Sequence, residues 1–324
     1  MSLVLGIQDI SAAQRPSVVS IGNFDGVHLG HQAVVQQLLK QSRRLQLPSV
    51  VVTFDPLAKE FFAQKSNMQV QPARLTTVEH RADLLMQLGI DYVCCLRFDE
   101  HLAQQSADDF IQQLLVSGLQ TRYLVVGDDF RFGHKRQGDF DMLKQAGKQY
   151  QFDVSATSTF LIEQQRVSSG RVRQALADND YVLTERLLGR PFSIAGTVSR
   201  GRQLGQTIGF PTANIELPDC MLPVHGVFAV KVALRKKTAQ PLQLLDAIAN
   251  IGNRPTVDGQ HNRLEVHILD IDKQLGDTNL YGEYLEVYFV NKIRDEIKFA
   301  NLDDLQQQIT ADVQAVRAQL ASAE

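Results

Sequence analysis

Between Ile21 and His31 the chain reads IGNFDGVHLGH, with two histidines, an aspartate and three glycines on one short stretch. The apolar, β-branched run Ser17–Ile21 precedes it, and helically spaced Val34, Val35, Leu38 and Leu39 follow. A strand-to-helix turn of this composition suits a phosphate. Glycine lets the backbone approach closely, and a helix N-terminus offers free N–H groups and the positive end of a dipole. Imidazoles there can donate hydrogen bonds that strengthen as charge grows in a transition state. A lone histidine is more often a satisfied structural residue. Two in the spacing H-x-G-H make His28 and His31 candidates for chemistry.

A second stretch, GRQLGQTIGFPTAN, carries Gly201, Gly205 and Gly209 at intervals of four, then Pro211, Thr212 and Asn214. Such glycines could admit a phosphate to the backbone, though glycine also marks barrel bends. The Thr212 hydroxyl and Asn214 carboxamide are hard oxygen ligands of the kind that suit Mg2+. Downstream, residues 263–270 alternate as a strand, so that Glu265 and His267 share a face opposite Leu264, Val266 and Ile268. Phosphoryl transfer to an alcohol needs a base or an orienting acceptor. Glu265 could supply it, although a carboxylate on an exposed strand face is also an ordinary surface residue. A third candidate is SSGRVR, from Ser168 to Arg173. Its serine pair suits a helix start and its arginine a bidentate phosphate clamp. In Phe54–Phe62, aromatic rings could stack on a flat ligand.

These groups must be held by two kinds of architecture. Apolar runs at Ser17–Ile21, Ser49–Phe54, Tyr92–Phe98 and Tyr123–Val126, with a weaker one at Phe152–Ala156, are separated by helical patterns near Glu79–Leu88 and Asp108–Val116. That alternation predicts βαβ units and a doubly wound parallel sheet. One further helix is expected from about Arg171 to Leu188, stopped at Gly189-Arg190-Pro191. Beyond Pro191 the runs Phe192–Val198, Val227–Ala233, Leu244–Ile251, Leu264–Leu269 and Tyr284–Val290 are punctuated by glycine and proline, as in a small antiparallel barrel or sandwich. Asn301 is a good N-cap for a final helix, whose stripe Leu302, Leu305, Ile309, Val313, Val316 and Leu320 predicts docking on the barrel. The expected domains are 1–186 and 187–324.

The bulk composition narrows the classes. With 324 residues, 44% apolar and 21% charged, and a formal net charge of −3, the chain reads as a two-domain globular protein. No basic run supports nucleic-acid binding, and no apolar run is long enough to span a membrane. The N-terminus does not read as a signal peptide. Cys94, Cys95 and Cys220 form no disulfide framework or zinc spacing, and read as inert thiols of a reducing cytoplasm. No obligate protein partner is evident.

His28-Leu29-Gly30-His31 matches the H-x-G-H signature of the nucleotidyltransferase superfamily. Alone it could equally mean a pantetheine-phosphate or glycerol-phosphate nucleotidyltransferase. The wider string GNFDGVHLGHQ resembles the bacterial riboflavin kinase/FAD synthetase family, in which the two histidines bind ATP phosphates and stabilise adenylyl transfer. The resemblance implies nucleotide contacts from Gly22, Phe24, Asp25, Gly26 and Gly30. Val126–Gly133 resembles the family's nucleotide loop, implying contacts from Gly127 and Asp129, where Asn is common. Ser168, Ser169 and Arg173 fall on the second superfamily signature, with Gly170 replacing the usual Thr. Phe54-Asp55-Pro56 through Phe62 resembles the flavin-site strand end, with Ala58 in place of a proline. It implies flavin contact from Phe62 and from Phe54, the latter equally suited to the core.

In the second half, G-F-P-T-A-N is similar to the riboflavin kinase signature. There Thr212 and Asn214 would hold the magnesium–nucleotide complex, flanked by Gly201, Gly205, Gly209 and Pro211, and Glu265 would be base toward the ribityl 5′-hydroxyl. Asn250–Thr256 is similar to the family's N-I-G-x-R-P-T segment, with Asn253 where Thr is common, which implies that it lines the flavin–nucleotide junction. Leu280-Tyr281-Gly282 is also family-like, and Ile293–Glu296 with Phe299 resembles a family element near the flavin, which implies flavin binding by Arg294. The resemblance spans nearly the whole chain. It implies a Rossmann-like nucleotidyltransferase domain, a β-barrel kinase domain, Mg2+, and ATP, riboflavin, FMN and FAD as substrates or products. Three alternatives stay open: a chain that is chiefly a kinase because of Gly170, an enzyme acting on another phosphate ester, and a non-catalytic flavin or nucleotide sensor.

Overall fold

The computed structural model describes residues 2–66, 72–200, 209–218, 220–234, 244–256, 259–270 and 279–321, with backbone alone at 253–256 and 259–262. The chain divides into two compact units, Met1–Pro72 with Val78–Ser169, and Ala73–Thr77 with Gly170–Glu324.

In the first unit, strands β1 (Ser2–Leu5), β2 (Ser17–Ile21), β3 (Ser49–Asp55), β4 (Tyr92–Arg97), β5 (Thr121–Gly127) and β6 (Asp153–Thr157) form a parallel sheet. Their order is β1-β4-β3-β2-β5-β6. The helices are α1 (Leu29–Leu45), α2 (Ala58–Lys65), α3 (Val78–Gln87), α4 (Glu100–Gln104), α5 (Ala107–Phe110) and α6 (Phe140–Tyr150). Successive strand residues face opposite ways. Val18, Val51, Val93 and Val125 pack against Val35 and Leu38 of α1 and Ala82 and Leu85 of α3. Val19, Val50, Val52, Cys94, Leu124 and Val126 pack on the other face with Ile111, Leu115 and Leu143. Burial of both faces explains the near-continuous apolar runs, and each fully buried valine contributes roughly 1.5–3 kcal/mol. A hairpin, β7 (Leu161–Ile162) and β8 (Gln165–Arg166), follows the sheet.

The second unit contains a closed antiparallel barrel of β9 (Ser193–Ser199), β10 (Ala213–Ile215), β11 (Gly226–Leu234), β12 (Leu244–Thr256), β13 (Gly259–Ile268) and β14 (Tyr284–Arg294). Its order is β10-β13-β12-β11-β14-β9, closed by β9 on β10. Phe228, Val230, Leu264, Val266, Leu285 and Val287 are fully buried. The alternate positions Val227, Ala229 and Ile248 pack against Val316 and Leu320 of the final helix, α9 (Leu302–Ala321), numbered after the two helices given next.

Several local expectations are corrected. The helix expected over Asp108–Val116 starts as α5 but continues as a π-helix, Ile111–Gly118. The single helix expected over Arg171–Leu188 is two, α7 (Ser169–Ala177) and α8 (Tyr181–Leu188). Asn179 between them is left-handed at φ 58°, a conformation Asn tolerates. Asp180 then restarts the chain by accepting from Leu183 N at 2.8 Å. The Tyr181 ring of α8 meets Phe228 of β11 edge-on at 6.4 Å. Asn301 does cap α9, accepting from Asp304 N at 2.8 Å. Only the later part of the apolar stripe is buried, and Leu302 is 65% exposed. Strands β1 and β10 were not expected.

Candidate functional site

In the first unit β2 has β3 on one side and β5 on the other. The chain builds outward from β2 in both directions, so the crevice beyond the carboxyl ends of these three strands is a topological switch point. Gly22, Phe54 and Gly127 stand at those neighbouring ends.

The turn after β2 is tightly wound. Phe24 (φ 48°), Gly26 (φ 82°) and Val27 (φ 42°) are all left-handed, and the Phe24 carbonyl accepts from Val27 N at 3.0 Å. A β-branched valine there stores strain of the kind found at ligand sites. Asp25 is buried, and its carbonyl accepts from Ser169 Oγ at 2.9 Å. This ties the start of α7 to the turn.

His28 caps α1. Its Nδ1 accepts from His31 N at 3.3 Å, and the two imidazoles stack with centroids 3.6 Å apart. An accepting Nδ1 puts the proton of neutral His28 on Nε2, which makes that atom a donor. Gly30 gives the ring room: a Cβ there would lie 3.2 Å from ring atoms of His28 and 3.3 Å from the Val167 carbonyl.

A cavity of about 890 Å³ opens beside the turn. Gly22, Asn23, Phe54 and Phe62 line it, with Phe98, Phe110, Phe130 and Phe132. Phe54 meets Phe98 edge-on at 5.8 Å, and Phe130 stacks on Phe132 at 5.6 Å. Phe54 is mostly buried, whereas Phe62 is 49% exposed. A volume walled by six phenylalanines suits a flat aromatic ligand. Lys59, Arg131, Lys135 and Arg136 also line it and suit an anionic group on that ligand.

Sequence reading gave no flavin role to four of those phenylalanines, because Phe98, Phe110 and the Phe130/Phe132 pair stand far apart along the chain from Phe54 and Phe62. It also missed Arg81, which is fully buried on α3 and donates to the Asn23 carbonyl at 2.6 Å and the Phe54 carbonyl at 3.3 Å. This one side chain links the histidine turn to the end of β3. Arg166 was missed as well. It lies 2.8 Å from Asp129, and its guanidinium holds the Asp129 carboxyl below the usual carboxylate range. Ser168 directly precedes α7, and Arg173 Nε donates to the Ala73 carbonyl.

In the second unit strand register assembles the site. Ser199, Asn214, Glu265, Asn250 and Val227 stand opposite one another across β9, β10, β13, β12 and β11. Opposed residues share a face, so Asn214 and Asn250 flank Glu265. The Glu265 carboxylate pairs with Arg263 at 3.1 Å, each side chain about one-third exposed. Asn214 is 6% exposed, and its Oδ1 is buried with no hydrogen-bond partner among the described residues. An orphaned buried carboxamide oxygen beside Thr212 is a fit for a hard cation. His267 pins this segment, with Nδ1 2.8 Å from the Pro211 carbonyl and its ring edge-on to Phe210 at 5.4 Å. Gly209 is left-handed at φ 85°. Gly201 and Gly205 lie outside the described residues. Arg294 is engaged with α9: Nε and Nη2 donate to the buried Asp312 at 2.7–3.0 Å, and Nη1 to the Asp295 carbonyl at 2.8 Å.

Comparison with known proteins identifies both halves. The family model described as FAD synthetase matches residues 10–171, and that described as riboflavin kinase matches 188–320. The bifunctional riboflavin kinase/FMN adenylyltransferase of Escherichia coli K12 is 47% identical over 314 residues, 96% of each chain. Its namesake in Haemophilus influenzae is 42% identical over 98% of this chain and 99% of its own. That of Pseudomonas fluorescens is 44% identical over 98% and 97%. A crystal structure described as a macrolide-efflux protein from Streptococcus pneumoniae superposes with TM-score 0.71 at 29% identity, over 97% of this chain and 98% of its own. No helix among the described residues is long and apolar enough to cross a membrane. Two family models in tandem and full-length relatives above 40% identity place this chain in the bifunctional riboflavin kinase/FMN adenylyltransferase family.

Proposed function

We propose that this chain makes flavin cofactors in two ATP-dependent steps, phosphorylating riboflavin to FMN in the second unit and adenylylating FMN to FAD in the first. The observation that carries this reading is the pair of separately built sites, a histidine-capped helix start beside a phenylalanine-lined cavity, and a carboxylate flanked by two carboxamides on a barrel.

In the kinase step the ribityl 5′-oxygen bonds to the γ-phosphorus of ATP, the bond to the leaving ADP oxygen breaks, and Glu265 takes the hydroxyl proton. Arg263 orients that carboxylate. Gly201, Gly205, Gly209 and Pro211 would receive the nucleotide. Thr212 and Asn214 would hold Mg2+, supported by the orphaned Asn214 Oδ1. Bound there, the ion neutralises charge on the ATP phosphates.

In the adenylyl step a phosphate oxygen of FMN bonds to the α-phosphorus of ATP and pyrophosphate leaves. His28 Nε2–H and His31 donate to the phosphate oxygens as charge builds. Gly22, Phe24, Asp25, Gly26, Gly30, Gly127, Asp129, Ser168, Ser169 and Arg173 form the nucleotide set. Phe54 and Phe62 contact the flavin ring, while Arg294 serves the flavin site of the barrel through its hold on α9.

On this reading the functional division is at 186/187, a position supported by the gap between the matched segments 10–171 and 188–320. A cytoplasmic setting is supported by the thiols: Cys94 and Cys95 are buried, and burial pushes the Cys94 thiol up to about 12. The net charge of −3 favours neither nucleic acid nor an anionic surface as partner.

The test is chromatography of flavins over time, with riboflavin, ATP and Mg2+. FMN should appear first and FAD after it. Glu265→Gln should stop FMN formation and spare FMN-to-FAD conversion, and His31→Ala should do the reverse. Loss of both activities from either change, with the protein still folded, sinks the two-site assignment.

A further inference from the structure

Glu265 has two strand neighbours, and only one of them is explained by the metal. Asn214 on β10 carries the oxygen fitted to Mg2+. Asn250 on β12 stands directly opposite Glu265 on the other flank, so its carboxamide shares the face on which the acceptor hydroxyl must lie. Its amide nitrogen is only loosely held, 3.5 Å from Glu296 Oε1, at the limit of a hydrogen bond. Its Oδ1 is buried and has no hydrogen-bond partner among the described residues. A buried acceptor without a donor is destabilising, and a native site retains one where a ligand supplies the donor. Beyond Asn250 the row continues to Val227, which is apolar and buried.

The remaining question is which donor arrives. The alcohol substrate bears successive hydroxyls on neighbouring carbons. When its terminal hydroxyl meets Glu265, the chain runs away from the metal flank and over the next strand, where an inner hydroxyl is the group able to donate. We propose that Asn250 is a specificity-determining residue of the kinase site, its Oδ1 accepting from an inner hydroxyl of the polyol chain while Glu265 takes the terminal proton. The site then has a direction. The phosphoryl donor and its cation lie over β10, and the polyol lies over β12. This rests on the reading of Glu265 as base for riboflavin phosphorylation.

The experiment compares riboflavin with its 3′-deoxy and 4′-deoxy analogues as kinase substrates, in the full chain and in Asn250→Ala and Asn250→Asp. The native chain should prefer riboflavin over one deoxy analogue by about tenfold in kcat/KM, the worth of one hydrogen bond. Asn250→Ala should bring that preference near unity, chiefly through KM for riboflavin, with KM for ATP and the Mg2+ requirement unchanged. Asn250→Asp retains an acceptor and should keep the preference, which covers the case in which the alanine variant does not fold. An Ala variant that discriminates as well as the native chain overturns the proposal, as does a native chain indifferent to both deoxy analogues. A fully active Glu265→Gln variant would instead overturn the reading of the base itself.

Discussion

Gly30→Ala separates stability from chemistry in the first unit. The added methyl would sit 3.2 Å from Cε1 and Nδ1 of His28 and 3.3 Å from the Val167 carbonyl. Contacts that close oblige the ring or the helix start to give by a few tenths of an ångström. His28 is restrained by its stack on His31 at 3.6 Å and by the hydrogen bond from His31 N at 3.3 Å, so displacement carries both imidazoles. Alanine is also the better helix former, by up to ~1 kcal/mol, and this offsets much of the crowding. The expected change in unfolding free energy is therefore within about 1 kcal/mol of zero. Catalysis has no such offset. A misplacement of about 1 Å can cost about a hundredfold, so a few tenths should lower kcat for FMN adenylylation by about three- to tenfold. The assay follows FAD formation from FMN at saturating ATP, with riboflavin phosphorylation and urea unfolding measured on the same preparation. Unchanged FAD formation would refute the claim that Gly30 exists to seat His28. Equal loss of both activities would show that the damage is to folding.

Two further outcomes follow from ion pairs. Asp312 on α9 is 3% exposed and takes three contacts from Arg294 and one from Gln308 Nε2 at 2.9 Å, so Arg294→Ala leaves a buried carboxylate without its counter-charge and should cost about 3 kcal/mol in denaturant unfolding of the barrel unit. Intact stability with weakened riboflavin binding would instead place Arg294 at the ligand. Arg166 holds the Asp129 carboxyl below its usual range, so this pair stabilises the fold at pH values above the unfolded carboxylate range and stops doing so as pH falls through the lowered value. Asp129→Asn should therefore reduce thermal stability slightly at pH 6, the pair being largely exposed, and the difference should vanish in strong acid. A difference that persists unchanged at low pH would show that the pair is not its source.

Much of this protein is written in local order. The runs of β2, β3, β4 and β5 are apolar on both faces because helices cover both faces, and such runs are visible without knowing which residue goes where. The H-x-G-H turn and the P-T-A-N segment are legible for the same reason, since their chemistry comes from residues adjacent along the chain. Strand β10 was invisible because three residues make no period, and the break between α7 and α8 because it rests on one left-handed asparagine.

What tertiary structure alone decided is which distant residues meet. Arg81 looks like any charged helix residue until packing buries it and brings it to the Asn23 and Phe54 carbonyls. The cavity's phenylalanines, from the end of β3, from α2 and α5 and from the segments after β4 and β5, become one wall only when the chain brings these distant stretches together. Asn214, Glu265 and Asn250 become a row through barrel register, which a slip of one residue would destroy by sending each side chain to the opposite face. Sequence determines residue chemistry and local geometry, because these act over a few bonds. The partnership of an orphaned carboxamide with a carboxylate three strands' worth of chain away depends on closure of the barrel.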